Sequence, residues 1–273
     1  MTKTKAARKP PRKAVLKLSS QEGRIPGDDL AEKVRTLESW GGAGIELGKA
    51  GLAERVGEIR RALKGTRVKV SAVCAGYFGL ISPVKSTRER GLAELKALLA
   101  PAGEIGSTGV IVVPAFNRHR QLAGWKGREV LVEMLGRAGA EAAKRGTRIL
   151  LEPLNRTEAT FLRQLADAAS ICRDVDSRGV ALMGDFYHMF IEETSDRGAF
   201  ISAGGHCHHV HLASRTRILP SQDDRSFVDG FGGLKVIGYR DYCSLECGVR
   251  GQPAKEIPKS FRFLQRQWAA AKP

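Results

Sequence analysis

The sequence predicts a single closed α/β barrel, a (β/α)8 barrel in which each of eight parallel strands is followed by a helix. Three observations carry this. The chain has 273 residues and no compositional break, a length that fits one such barrel of roughly 250 residues. Short apolar runs alternate with amphipathic helical stretches eight times, the signature of a parallel sheet. The last four of those runs also end on or carry residues that a core tolerates poorly: Glu152, Asp185, His211 and Glu246.

Taken in order, Val15–Ser19 is the first strand. Asp28–Trp40 is the first helix, capped by Asp28 or Asp29, with Leu30, Val34 and Leu37 at helical spacing. Gly44–Leu47 is a short second strand. In the helix Leu52–Leu63, Val56, Ile59 and Leu63 share a side. Val68–Cys74 and Thr87–Leu99 form the third pair. Val110–Val113, stopped by Pro114, and Arg128–Lys144 form the fourth. The fifth strand is the apolar run that ends at Glu152, because Pro153 cannot donate to a ladder. Its helix spans Thr160–Cys172, with Leu162, Leu165, Ala169 and Cys172 as the buried stripe. Val180–Gly184 precedes a helix after Ser195. Val210–Leu212 precedes one around Phe227–Val236, and Tyr242–Leu245 precedes the closing helix Lys255–Ala270. No internal repeat is visible.

Composition narrows the function classes. Five cysteines without paired spacing argue against a disulfide framework and for a reducing compartment. Cys243 and Cys247 flank Glu246 but lack the second pair that a zinc site wants. The formal net charge is +16. Lys3, Lys5, Arg8, Lys9, Arg12, Lys13 and Lys17 crowd the start with no acid among them, so residues 1–13 read as a short, disordered basic tail ahead of a barrel over 14–273. Nucleic acid is an unlikely partner: the tail reads as a solvated arm. It has no secretory apolar region and no run elsewhere could span a bilayer, which gives a cytoplasmic expectation and no membrane partner.

The four strand-end residues define the expected chemistry. Active sites of such barrels lie at the C-terminal ends of the strands, and strands five to eight are neighbours around the ring. Three carboxylates and one imidazole suit one hard or borderline divalent ion: Mn first, with Mg, Co or Zn as alternatives. Such an ion would polarise a substrate carbonyl and stabilise an enediolate. Glu152 and Glu246, on the two flanks of the set, are the candidate acid/base pair. Glu158, His188 and Arg217 fall in the loops after their strands, where they could contact substrate. His206, His208 and His209 precede the seventh strand and are expected at the opposite, stability face. His119 follows strand four and reads as a solvated loop residue. Gly230, Gly232 and Gly233 resemble a phosphate cradle, although close helix packing explains the spacing as well.

These stretches resemble a known family, the xylose-isomerase-like TIM barrels, and within it the D-tagatose 3-epimerase and D-psicose 3-epimerase group. The resemblance rests on Glu152-Pro-Leu-Asn-Arg-Thr-Glu158 and on Asp185-Phe-Tyr-His188-Met-Phe-Ile-Glu-Glu-Thr-Ser195. It continues through His209-Val-His211-Leu-Ala-Ser-Arg-Thr-Arg217, Gly233-Leu-Lys-Val-Ile-Gly-Tyr239 and Ser244-Leu-Glu246. It implies that Glu152, Asp185, His211 and Glu246 bind one Mn-like ion, that Glu152 and Glu246 are the acid/base pair, and that Glu158, His188 and Arg217 contact a sugar or keto-sugar. It also implies a homodimer or homotetramer. Two departures stand out. Cys247-Gly248 replaces the proline and apolar residue that usually follow the last glutamate, and Leu219–Phe227 loses the usual glycine-rich turn. The expected activity is a metal-dependent sugar isomerase or epimerase. The alternative is a 3-keto-glycoside lyase (eliminase) on the same site. An endonuclease IV-like DNA repair enzyme is disfavoured because strands three and four end near Cys74 and Pro114, without the extra histidines that a three-zinc site resembling that enzyme's needs. A non-catalytic sugar-binding protein is disfavoured by the two opposed glutamates.

Overall fold

A computed structural model describes residues 13–273; the expected basic tail, Lys13 apart, lies outside the described residues. Eight parallel strands close in sequence order: β1 (Lys17–Gln21), β2 (Gly44–Gly48), β3 (Lys69–Tyr77), β4 (Val110–Val113), β5 (Ile149–Leu151), β6 (Val180–Asp185), β7 (Cys207–Leu212) and β8 (Tyr242–Leu245). Strand β8 pairs back onto β1, with Ser19 opposite Ser244. The surrounding helices are α1 (Leu30–Ser39), α2 (Leu52–Leu63), α3 (Lys85–Glu104), α4 (Gly124–Lys144), α5 (Leu165–Val175), α6 (Phe186–Glu192), α7 (Asp196–Ala203), α8 (Val228–Val236) and α9 (Pro253–Ala270). The expected (β/α)8 barrel is therefore present. No described helix is long and apolar enough to cross a membrane.

Two hydrophobic layers follow from strand alternation. Val110, Val112, Ile149, Leu151, Val180 and Leu182 pack outward with the helices. Their alternates Ile111, Leu150 and Ala181, with Ala72 and Met183, form a separate cluster inside the barrel. That inner cluster comes from β3–β6. On the other side of the ring the interior is polar: Ser19 and Ser71 share a 2.7 Å hydrogen bond, and the Glu46 carboxylate takes N–H groups from His209 and His211.

Several boundaries differ from the sequence expectation, each for a local reason. Asp29 is the cap of α1; its carboxylate accepts from the Glu32 N–H at 2.7 Å. Helix α5 starts at Leu165, five residues later than expected. Residues 152–164 are instead a loop tied down by side chains: Glu192 accepts from the Arg156 backbone and guanidinium, and Glu193 accepts from the Leu165 N–H at 2.7 Å. Leu162 is still buried, but its carbonyl accepts from the Leu154 N–H within that loop. Asp185 caps an unexpected short helix, α6, so His188 stands on a helix rather than in a loop. Strand β7 begins at Cys207, so His208 and His209 belong to the strand and do not precede it. His209 is fully buried inside the barrel; its expected place at the opposite face is wrong.

The glycine run on α8 is explained by packing. A Cβ on Gly230 would lie 2.5 Å from the Phe186 ring, and one on Gly233 would lie 2.7 Å from the Arg197 carbonyl oxygen on α7. Only glycine lets α8 approach α6 and α7 this closely.

Candidate active site

Parallel strands bring their C-terminal ends to one mouth, and the register sets who meets there. Asp185 is paired with His211, and His211 with Ser244. Glu152 and Glu246 are the first residues beyond β5 and β8. As a result, ligating atoms of Glu152, Asp185, His211 and Glu246 all lie within 4.8 Å of one another. His211 Nδ1 is 3.7 Å from Glu152 and 3.4 Å from Glu246. Glu152, Asp185 and His211 are buried, and Glu246 is nearly so.

The donor set fits a cation. Asp185 uses Oδ1 to cap α6, accepting from the Tyr187 N–H at 2.8 Å, while its Oδ2 is buried without a partner. His211 Nδ1 is likewise buried and unpartnered. Buried polar groups of this kind are costly unless something else satisfies them. Two such atoms among three carboxylates is the arrangement expected around a divalent ion.

Electrostatics distinguish the carboxylates. Burial drives the Glu152 carboxyl upward, against the neighbouring His211. Burial, followed by the charge of Glu246, pushes Asp185 up to about 6. Burial opposes ionisation of Glu246 as well, but His211 and then Arg217 outweigh it and hold that carboxyl down to about 2.

The three expected substrate contacts converge on the same mouth. Arg217 donates to Glu246 at 2.9 Å and to Glu158 at 3.1 Å, and its guanidinium lies over the Tyr187 ring. Its backbone is left-handed, with φ 56°, an uncommon state for a non-glycine residue. That turn is held from both sides. The Arg217 N–H donates to the Ser214 carbonyl, and its own carbonyl accepts from the Gly248 N–H at 2.8 Å. The loop after β7 is so fastened to the one after β8. His188 is buried, and its Nδ1 accepts from the Asn155 backbone N–H at 3.1 Å and sits 2.8 Å from the Asn155 amide nitrogen. An amide N–H can only donate, so Nδ1 carries the lone pair and the proton is on Nε2. That Nε2 is buried, unpartnered and 3.5 Å from Asp185. Burial holds the imidazole toward its neutral form, and it presents one N–H to the cavity.

Four residues here had no role in the sequence reading. Glu46, fully buried on β2, accepts from His209 Nε2 at 2.8 Å and His211 Nε2 at 2.9 Å. Gln21 donates to Glu46 at 3.0 Å and to Glu246 at 3.3 Å. Asn155 fixes His188, and His209 completes the pair on Glu46. The available signals were an acid in the middle of the run Gly-Ile-Glu-Leu-Gly and the two-residue spacing of His209 and His211. His119, by contrast, stacks on Tyr77 with ring centroids 4.4 Å apart and joins neither cluster of ligating side chains.

A family model described as a xylose isomerase-like TIM barrel matches residues 34–267. The chain belongs to the xylose isomerase-like TIM barrel family. Within the family it is 29% identical over 262 residues to a 3-dehydro-D-guloside 4-epimerase of Escherichia coli (strain K12), covering 92% of this chain and 99% of that protein. It is 31% identical to a D-psicose 3-epimerase of Ruminiclostridium cellulolyticum over 119 residues, 44% of this chain and 41% of that one. Among solved structures, a 3-keto-D-glucoside 4-epimerase from E. coli superposes with a TM-score of 0.83 at 27% identity, covering 92% of this chain and all of that one. These relatives are sugar epimerases, and at the level of enzyme class they bear out the expected isomerase or epimerase of the xylose isomerase-like family.

Proposed function

We propose that this protein is a divalent-metal-dependent epimerase that inverts a hydroxyl-bearing carbon next to a sugar carbonyl, with a 3-keto-glycoside as the first substrate class to test. The observation that carries this reading is the convergence of Glu152, Asp185, His211 and Glu246, with the Asp185 Oδ2 and His211 Nδ1 atoms left unpartnered in a buried mouth. These four side chains would hold the ion, with Mn matching the oxygen-rich set best. When bound, the ion would supply Lewis acidity toward the carbonyl and its developing enediolate.

The protein's own groups do the proton work. Glu246, paired with the Arg217 guanidinium at 2.9 Å, takes the proton from the carbon beside the carbonyl. Glu152 returns a proton to the other face of that carbon. The two act from either side of His211, and in the reverse direction they exchange roles. His188 Nε2–H and the Arg217 guanidinium donate to the substrate oxygens and keep the sugar oriented. Glu158, held by Arg217, accepts from a sugar hydroxyl. Removal and return of one proton leaves atoms and electrons unchanged, and only the configuration differs.

The 3-keto-glycoside comes first because the 3-dehydro-guloside epimerase matches 92% of this chain, whereas the ketose 3-epimerase matches 44%. The test is NMR in D₂O with added Mn²⁺ on a 3-keto-glucoside, D-fructose and D-psicose. Deuterium entering the carbon next to the carbonyl, with a new epimer, is the expected result on the keto-glycoside. Release of the aglycone would replace epimerisation by elimination. No exchange on any of the three sugars by metal-loaded protein would refute the proposal.

A further inference from the structure

The polar interior of the barrel holds one carboxylate that neither binds the expected ion nor faces the substrate. Glu46 lies on β2, across the ring from β5 and β6, and is fully buried. A lone buried carboxylate is expensive, so its partners show what it is kept for. One oxygen, Oε2, takes both imidazole Nε2–H groups, from His209 at 2.8 Å and His211 at 2.9 Å. The other, Oε1, takes the Gln21 amide at 3.0 Å, and that same amide reaches Glu246. The two imidazoles stand nearly perpendicular, at 83°. Each can therefore aim its N–H at the shared oxygen without blocking the other.

Resting on the metal-site reading above, we infer that Glu46 is a positioning residue: it fixes His211 as the Nε2–H tautomer and turns its Nδ1 lone pair into the ligand cluster. A histidine ligand whose second nitrogen donates to a carboxylate is a more basic and better oriented ligand. The geometry is more constrained here than a single pair would be. His209 gives Oε2 a second donor, which keeps the carboxylate from rotating toward the mouth to become a ligand itself. Gln21 ties the remaining oxygen to the Glu246 carboxylate. The chain Glu246–Gln21–Glu46–His211 thus closes a ring of contacts through four strands' worth of residues, on β1, β2, β7 and just beyond β8. His209, which has no direct access to the mouth, gains a purpose as the other brace of Glu46.

The experiment is Mn²⁺ titration of purified metal-free protein by calorimetry, comparing wild type with Glu46→Gln. Glutamine is the same size, and its single carbonyl oxygen can still sit between the imidazoles, but the charge is gone. The expected outcome is about a 10–100-fold weaker Mn²⁺ dissociation constant, the usual cost of losing such an outer partner. Circular dichroism and metal-free melting should stay close to wild type. Glu46→Asp keeps the charge and should recover part of the affinity. A Glu46→Gln constant within threefold of wild type overturns the inference and leaves the metal site standing. A wild type that binds no Mn²⁺ overturns the metal-site reading itself. Should the Glu46 variants fail to fold, imidazole ¹⁵N NMR on wild type loaded with diamagnetic Mg²⁺ decides. A proton on His211 Nε2 supports the inference, and a proton on Nδ1 overturns it.

Discussion

Asn155→Leu is the most informative single change outside the candidate ligands. Asn155 is fully buried, and its side chain makes four polar contacts, one of them to Glu158 at 3.4 Å. Its Oδ1 accepts from the Thr157 N–H at 2.9 Å and from the Thr157 hydroxyl at 2.5 Å, and its amide nitrogen lies 2.8 Å from His188 Nδ1. Leucine has the same branched outline, though it is bulkier, and keeps none of these. At about 1 kcal/mol net per hydrogen bond the loss is about 4 kcal/mol, and the roughly 1.5–3 kcal/mol from burying the apolar leucine leaves a net loss of about 1–2.5 kcal/mol. For a barrel of this size that is a fall in Tm of roughly 2–10 °C. The catalytic effect should exceed the stability effect. His188 keeps the Asn155 backbone N–H but loses the side-chain contact that aims its Nε2–H, and a misplaced donor costs on the order of 10²-fold in kcat. Differential scanning calorimetry and turnover on the sugar identified by deuterium exchange read both quantities from one preparation. Thr157→Val, which removes only the hydroxyl bond, serves as the comparison and should lose about 1 kcal/mol with kcat unchanged. If Asn155→Leu melts early but keeps kcat within threefold of wild type, the residue braces the loop and does not position His188.

Glu152→Gln and Glu246→Gln should each lower turnover by about 10²–10⁴-fold, the span of general acid–base catalysis, with melting curves near wild type; activity within tenfold would remove that residue from the acid/base pair. His211→Ala should abolish stoichiometric Mn²⁺, read by metal analysis after dialysis, and a retained equivalent would show that the site is misplaced. Adding Mn²⁺ at about 100 times its dissociation constant should stabilise wild type by about 2.7 kcal/mol and His211→Ala hardly at all. Gly233→Ala sets a Cβ 2.7 Å from the Arg197 carbonyl oxygen. It should cost about 1–3 kcal/mol through overpacking, and added phosphate should change neither protein's Tm; phosphate-dependent stabilisation of wild type would restore the cradle reading.

How much could be read from the chain depended on which physical signal each residue carries. The barrel was legible because eight apolar runs alternate with helical stripes, and alternation is a local property of sequence. Glu152, Asp185, His211 and Glu246 were legible because each stands at or near the end of an apolar run, where a charge is conspicuous. Their meeting within 4.8 Å follows from topology alone, since neighbouring parallel strands end together. The late start of α5 was not legible. Leu162, Leu165, Ala169 and Cys172 keep helical spacing, but the hydrogen bonds that hold residues 152–164 as a loop come from Glu192 and Glu193, some thirty positions later.

The same reasoning explains why Glu46 and His209 were overlooked, and why they belong together. A histidine two residues before His211 must point to the same face of the strand, because side chains in a strand alternate with a period of two. With His211 facing the interior, His209 has to face it as well. Placing His209 ahead of the strand, at the opposite face, came from starting the strand three residues late. Once both imidazoles are inside, each brings an N–H that cannot reach water, and the interior has to supply acceptors. On the apolar side, Ala72, Ile111, Leu150, Ala181 and Met183 supply none. The carboxylate of Glu46 is the acceptor that both imidazoles reach. Its burial, costly in isolation, is the consequence of two histidines on one face of β7. The pairing of an inward acid on β2 with His-Val-His on β7 is therefore one structural unit that sequence spacing alone cannot reveal.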